Sequence, residues 1–389
     1  MWAQIDRLKR MAGLGSGVEK LALVLSGGGA RAAYQAGVLK YITEHISADY
    51  PEIITGVSAG SINAAKIAND LDSFDTATQE LISSWTSLTN DDVYTAASSL
   101  KVFMNIIRRS SDSDQELLPR AGLVNTDPMR DFLKTSFDAP DGRLTGIPIN
   151  IKNGRLSACA FVSTDYATGQ TVTWLEGESI NDWKRPNRLS RNTELTIEHI
   201  MASTSLPFLF PAVPLEDSWY GDGGIRQADP LSPAVHLGAT KILAISTRYD
   251  RSQAEADVHL SEGYPPAAQI FGVLLSAVFL DRLDQDALIL ERNNRLIRHL
   301  APWRRNGLRE IDLCVIRPSI DLGKLSGDFQ YDLDGVLGLI ARGLGSEDTK
   351  SPDWLSMILF DSAYTSRLIE VGYTDGKAQR DRLLRFFDN

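Results

Sequence analysis

Leu21 to Leu25 (LALVL) is a short apolar run that ends at Ser26, Gly27, Gly28 and Gly29, and Tyr34, Gly37, Val38, Tyr41 and Ile42 follow at the spacing of a helix face. That order reads as strand, glycine turn, helix. A second unit repeats it, with Ile53 and Ile54 as the apolar end of a strand, Gly56 to Gly60 as the turn and Ser61 to Asn69 as a helix of small residues. Two consecutive units of this kind predict a parallel sheet with helices on its faces. From about Trp85 to Pro119 the pattern is polar with scattered apolar positions, which predicts helices and loop lying over the sheet. Asp127 before Pro128 has the form of an N-cap with proline at the first helical position, opening a helix through Met129, Phe132 and Leu133. Ala158 to Ser163 and Thr171 to Leu175 read as strands joined by a Thr168-Gly169 turn, with further strands at Lys241 to Ser246 and Asp312 to Ile316. The expected organisation is an amphipathic arm over 1–20, an α/β core over 21–320 and a helical extension over 321–389.

Composition narrows the class. With 389 residues and 43% hydrophobic content the chain has ample core, and 23% charged with 8% aromatic residues excludes a disordered chain. The longest nearly uncharged apolar stretch, Ile270 to Leu280, falls short of the roughly 18 to 20 residues that span a bilayer. Lys and Arg total 40 against 50 Asp and Glu, a net charge of −10, which argues against a nucleic-acid binder that relies on general positive charge. Cys159 and Cys314 each lie in an apolar run and read as buried hydrophobes, so a reducing compartment, the cytoplasm, is expected. Nothing in the composition specifies an oligomeric state. Trp2, Ile5, Leu8 and Met11 alternate with Arg7, Lys9 and Arg10, as in a helix that lies on anionic lipid or one that docks on the core; both readings stand, so peripheral membrane contact stays open. Arg292, Arg295, Arg298, Arg304, Arg305 and Arg309 read as a solvated basic face beside a core helix in preference to a headgroup-binding surface.

The chemistry concentrates in three places. Gly56-Val57-Ser58-Ala59-Gly60 is a GxSxG pattern between a β-branched strand end and an alanine-rich helix, the setting in which a sharp turn lifts a serine hydroxyl clear of a sheet. Gly27, Gly28 and Gly29 supply closely spaced backbone N–H donors of the kind an oxyanion hole needs, and Arg31 adds positive charge in the following turn. Gly27, Gly29 and Ala32 also satisfy GxGxxG/A, so a nicotinamide or flavin oxidoreductase is the rival; yet the second strand ends in Thr55-Gly56, where that fold wants an acid. Asp222-Gly223-Gly224 puts a carboxylate at a turn where the backbone can pass close to another loop, which offers the serine a base.

Together LSGGGARAAYQAGVL (25 to 39), GVSAGSINA (56 to 64) and YGDGGIRQADPL (220 to 231) resemble the patatin-like phospholipase family in order and spacing. Asp127-Pro128-Met129, Thr164-Asp165 with Thr168-Gly169, and ASTSLPFLFP (202 to 211) add smaller echoes, and the resemblance spans roughly residues 21 to 250. It implies a three-layer α/β/α fold with a mainly parallel sheet and C-terminal helical additions. It also implies a serine lipid acyl hydrolase, of phospholipase A or esterase type, that works through an acyl-enzyme without metal or organic cofactor. Ser58 would be the nucleophile and Asp222 its base. Gly27, Gly28 and Gly29, with Arg31 nearby, would form the oxyanion site, while Gly56, Gly60, Gly223 and Gly224 would shape the elbow and the base loop. Two positions depart from the family's usual pattern: Ala32 stands for a glycine and Ala228 for an asparagine. A Ser-His-Asp triad would need a late histidine facing the elbow; His45, His199, His236, His259 and His299 are read as structural or solvated. A catalytically idle lipid-binding or scaffold protein is the remaining alternative.

Overall fold

In the computed structural model, residues 19–46, 48–96, 122, 124–178, 180–257, 265, 267–280, 282–329 and 353–388 are described. The two predicted units open the chain as β1 (Leu21–Leu25), α1 (Ala33–His45), β2 (Ile53–Val57) and α2 (Ala59–Asn69), followed by α3 (Phe74–Ser87) and α4 (Asp127–Ser136). The middle of the chain is strand-rich: β3 (Ala158–Asp165), β4 (Thr171–Gly177), β5 (Lys184–Arg185) and β6 (Arg188–Asn192) precede α5 (Ile197–Thr204), then β7 (Val213–Leu215) and β8 (Ser218–Asp222). After α6 (Ser232–Leu237) come β9 (Lys241–Ile245), α7 (Ala267–Phe279), α8 (Arg282–Arg298) and β10 (Asp312–Ile316), and the chain closes with α9 (Asp353–Ile358), α10 (Ser362–Ala378) and α11 (Arg380–Asp388).

The sheet runs β10-β9-β1-β2-β3-β4-β6-β5. From β10 to β3 every neighbour is parallel, and β4 turns back antiparallel to β3. Both faces are covered, which is why these strands are continuously apolar and do not alternate. In β1, Leu23 and Leu25 face one hydrophobic cluster, built with α1, α2 and α10, while Ala22 and Val24 face a second, built with α6 and α8. The layers are therefore helix, sheet, helix.

Several boundaries differ from the pattern reading. The N-cap of α4 is Thr126; Asp127 is already the first helical residue, and Pro128 occupies the second position, where its missing N–H still costs no intrahelical bond. Trp85 belongs to α3 and is buried, because the helix starts upstream at Phe74 with Ser73 capping the Thr76 amide. The turn expected over Gly56 to Gly60 shrinks to Ser58 alone, since β2 continues through Val57 and α2 begins at Ala59. The apolar stretch before the arginines is less of a core helix than expected: α7 leaves Ile270, Val273 and Leu274 exposed. Within the basic segment Arg298 pairs with Glu310 at 2.5 Å, and Arg309 donates to the Val235 and Ala239 carbonyls. Both cysteines are buried and free. The apolar and basic positions from Trp2 to Met11, the part of the polar stretch from 97 to 119, and His259 lie outside the described residues.

Candidate active site

Register on β3 brings the serine and the aspartate together. The last residue of β2, Val57, pairs with Val162, and β3 then runs on past the end of β2. The vacated flank is taken by β8 from the opposite direction, with its own last residue, Asp222, paired with Ser163. Two strands thus end head to head on one edge of β3, at adjacent register positions. Ser58 and Asp222 sit where they meet.

The elbow is locally strained. Ser58 adopts φ 53° and ψ −135°, a conformation non-glycine residues rarely hold, and its carbonyl accepts from the Ser61 amide at 2.8 Å and the Ser61 hydroxyl at 2.6 Å. A side chain at Gly60 would collide with the Leu25 carbonyl, so the GxSxG spacing reflects how closely α2 passes over the end of β1. Ser203, from α5, ties the elbow to the sheet: its hydroxyl accepts from the Ser58 amide at 3.0 Å and donates to the Val162 carbonyl at 2.7 Å.

Asp222 has no exposed surface. One carboxylate oxygen accepts from the Gly224 amide at 2.8 Å; the other has no hydrogen-bond partner. Burial pushes the carboxyl up from its usual 3.8 to about 7, opposed by the Ser58 hydroxyl and the Gly224 amide. The serine hydroxyl thus lies close enough to the carboxyl to favour its ionised form. The aspartate backbone is pinned, its N–H donating to the Ser205 carbonyl at 2.8 Å and its carbonyl accepting from the Thr164 hydroxyl at 2.9 Å.

The glycine loop closes the third side. Gly28 (φ 144°) and Gly29 (φ 58°) hold conformations that need glycine, and Gly27 passes directly beside the Ser58 side chain. Among the described residues the Gly27 and Gly28 N–H groups donate to no partner. Arg31 is buried and turned away into a contact with α9, bonding the Asp353 carboxylate and the Ser356 hydroxyl, each at 2.7 Å. The residues beyond 320 therefore reach the loop, and Met357 backs directly onto Gly29.

The model of the patatin-like phospholipase family matches residues 23–235, which include the glycine loop, the serine elbow and the aspartate turn. The chain belongs to that family. No curated protein matches it. Among solved structures, VipD from Legionella pneumophila is 12% identical, covering 95% of this chain and 67% of its own, with a TM-score of 0.37. Human GIVD cytosolic phospholipase A2 is 11% identical, covering 98% of this chain and 65% of its own, with a TM-score of 0.47. This chain thus spans about two-thirds of the length of either.

Beside Ser58 the patatin-like core holds an apolar cavity. Ser58, Leu206, Phe210, Met357 and Phe360 help to line it, together with residues of α2, α3 and α4. Pattern reading missed Ser203, Thr204 and the α9 residues as parts of this site. The ASTSLPFLFP stretch carried the signal for the first two, whereas nothing local marks Met357. Three of the histidines have partners of their own: His199 is buried beside Trp174, lowered by burial to about 4, with Nδ1 accepting from the Thr196 amide at the start of α5. His236 stacks on Trp183 at the end of α6, before the N-terminal end of β9, and His45 bonds the Tyr373 hydroxyl at 2.8 Å. Among the described residues no cluster of His, Cys, Asp and Glu could hold a metal ion, and no helix is long and apolar enough to cross a membrane.

Proposed function

We propose that this chain is a serine lipid acyl hydrolase. The observation that carries the reading is the buried, half-unpartnered Asp222 carboxylate beside the Ser58 hydroxyl, with Ser58 lining an apolar cavity. In this mechanism the ester enters with its acyl chain in the cavity. Asp222 takes the Ser58 proton, the alkoxide attacks the carbonyl carbon, and the alcohol leaves with a proton returned through Asp222. Water, deprotonated by the same carboxylate, then attacks the acyl-serine and releases the fatty acid. The carboxyl titrates near 7, close to the pH at which it works, which suits one group to both halves of the cycle. The free Gly27 and Gly28 amides hold the oxyanion in each half. Arg31 enters as a strut: its charge is matched by Asp353, so it braces the loop against α9.

Two expected outcomes follow from this division of roles. Replacing Gly28 by valine drives a branched side chain onto Thr247 at a φ valine does not tolerate, and so moves the loop amides. Turnover per folded molecule should drop roughly 100 to 1,000-fold, the usual effect of losing one oxyanion donor. A folded variant with near wild-type kcat would remove the loop from the mechanism and reopen the dinucleotide reading of the same glycines. His236→Gln and His299→Gln should both keep near wild-type kcat/KM on a soluble short-chain ester. A loss of about a hundredfold in either, with the melting temperature intact, would restore a histidine base. Lipid and acyl-ester panels run on wild type and Ser58→Ala test the reading as a whole; a protein that binds lipid but turns over no ester would be a scaffold.

A further inference from the structure

We infer that the cluster of Lys66, Glu80 and Ser136 is a polar stop that sets the length of acyl chain this site accepts, at about ten carbons. The inference rests on Ser58 being the nucleophile of the proposed reaction. Ile62 and Lys66 lie four residues apart on one face of α2, and Ser58 caps that helix four residues before Ile62. All three line the apolar cavity. The antiparallel α3 faces them: the Trp85 indole donates to Asn63 at 2.8 Å near the middle, and Glu80 pairs with Lys66 at the far end at 2.7 Å. Met129 and Leu133 of α4, with Phe137 just after it, complete an apolar wall.

At the end remote from Ser58 the chemistry changes. The Lys66 ammonium donates to the Ser136 carbonyl at 2.7 Å, lies 5.5 Å above the Phe137 ring and pairs with Glu80, while the Ser84 and Ser136 hydroxyls bond each other at 3.0 Å. Behind these groups lies a second cavity, lined by Glu80, Ser83, Ser87 and Thr135. The two cavities share Lys66, Ser84, Phe132 and Ser136, so those side chains are the partition between an apolar slot and a polar groove. A methyl terminus that reaches the partition must separate an ammonium from its partners to go further, with no polar group of its own to replace them. From the capping Ser58 to Lys66, eight positions along the helix axis, the rise is roughly 12 Å, and an extended chain advances about 1.2 Å per bond, which gives room for about ten carbons.

The test has a binding arm and a turnover arm. In the Ser58→Ala protein, calorimetric titration with straight-chain fatty acids of six to sixteen carbons, below their micelle concentrations, should show affinity rising roughly fourfold per methylene. The rise should flatten at about ten carbons. Adding Lys66→Ala opens the partition and should carry the rise on to at least fourteen carbons. Adding Ile62→Phe, one helical turn nearer the serine, should bring the flattening forward by about five carbons, since four residues rise roughly 6 Å. In otherwise wild-type protein, Lys66→Ala should raise the ratio of kcat/KM for a fourteen-carbon ester over an eight-carbon ester at least tenfold. A break point that is absent, or that stays put when Lys66 is replaced, overturns the stop. Should Lys66→Ala fail to fold, Lys66→Val, which also removes the ammonium but keeps an apolar contact with Phe137, decides in its place, with the same shift expected. If the break points move but no ester is ever cleaved, the slot stands and the hydrolase reading falls; if esters are cleaved but the break points stay put, the hydrolase reading stands and the slot falls.

Discussion

Ser58→Ala should lower ester turnover by roughly 10^4 to 10^6, the scale of losing a nucleophile in a serine hydrolase, while thermal melting stays near wild type. The small structural effect follows from the elbow itself. The contacts that fix the turn use the Ser58 backbone, through the Ser203 and Ser61 hydroxyls and the Ser61 amide. Alanine keeps the Cβ and inherits the same strained φ. A fluorophosphonate reagent should label the wild-type protein and leave the variant unlabelled; equal labelling would put the nucleophile elsewhere in the chain.

Asp222→Asn should lower kcat roughly 100 to 10,000-fold, because the amide keeps the shape but takes no proton at neutral pH. The same substitution should strengthen the fold relative to wild type at alkaline pH. With the folded carboxyl raised from 3.8 to about 7, the native state holds a proton that the unfolded chain has lost between those values. That contribution to stability is fully present below 3.8 and is lost as pH rises through about 7. The shift corresponds to about 4 kcal/mol at most, so urea unfolding at pH 4 and pH 8 should show the variant gaining on wild type by up to that amount. A gap that does not change with pH would mean Asp222 titrates as an ordinary carboxylate. In the wild type, kcat/KM should climb about tenfold per unit below pH 7 and level off above it, the acid limb expected of a base that must be ionised.

Local features were legible without coordinates. The LALVL run, the glycine triplet, GxSxG and Asp-Gly-Gly each specify a strand end or a turn through adjacent residues, since backbone sterics and short-range polarity act over a few positions. The parallel sheet followed from the same units, and β10 matches the predicted Asp312 to Ile316 strand residue for residue. Periodicity could likewise mark Ile62 and Lys66 as one helix face, but not what that face meets. Tertiary structure decided the remainder. Only the register of β2 and β8 on β3 puts Ser58 beside Asp222, and only complete burial there moves the carboxyl toward neutrality. Only the return of the chain as α9 sets Asp353 against Arg31 and Met357 behind Gly29. The physical reason is common to all three: desolvation, charge pairing and close packing depend on which distant segments share a volume, and a residue's neighbours in sequence do not carry that information.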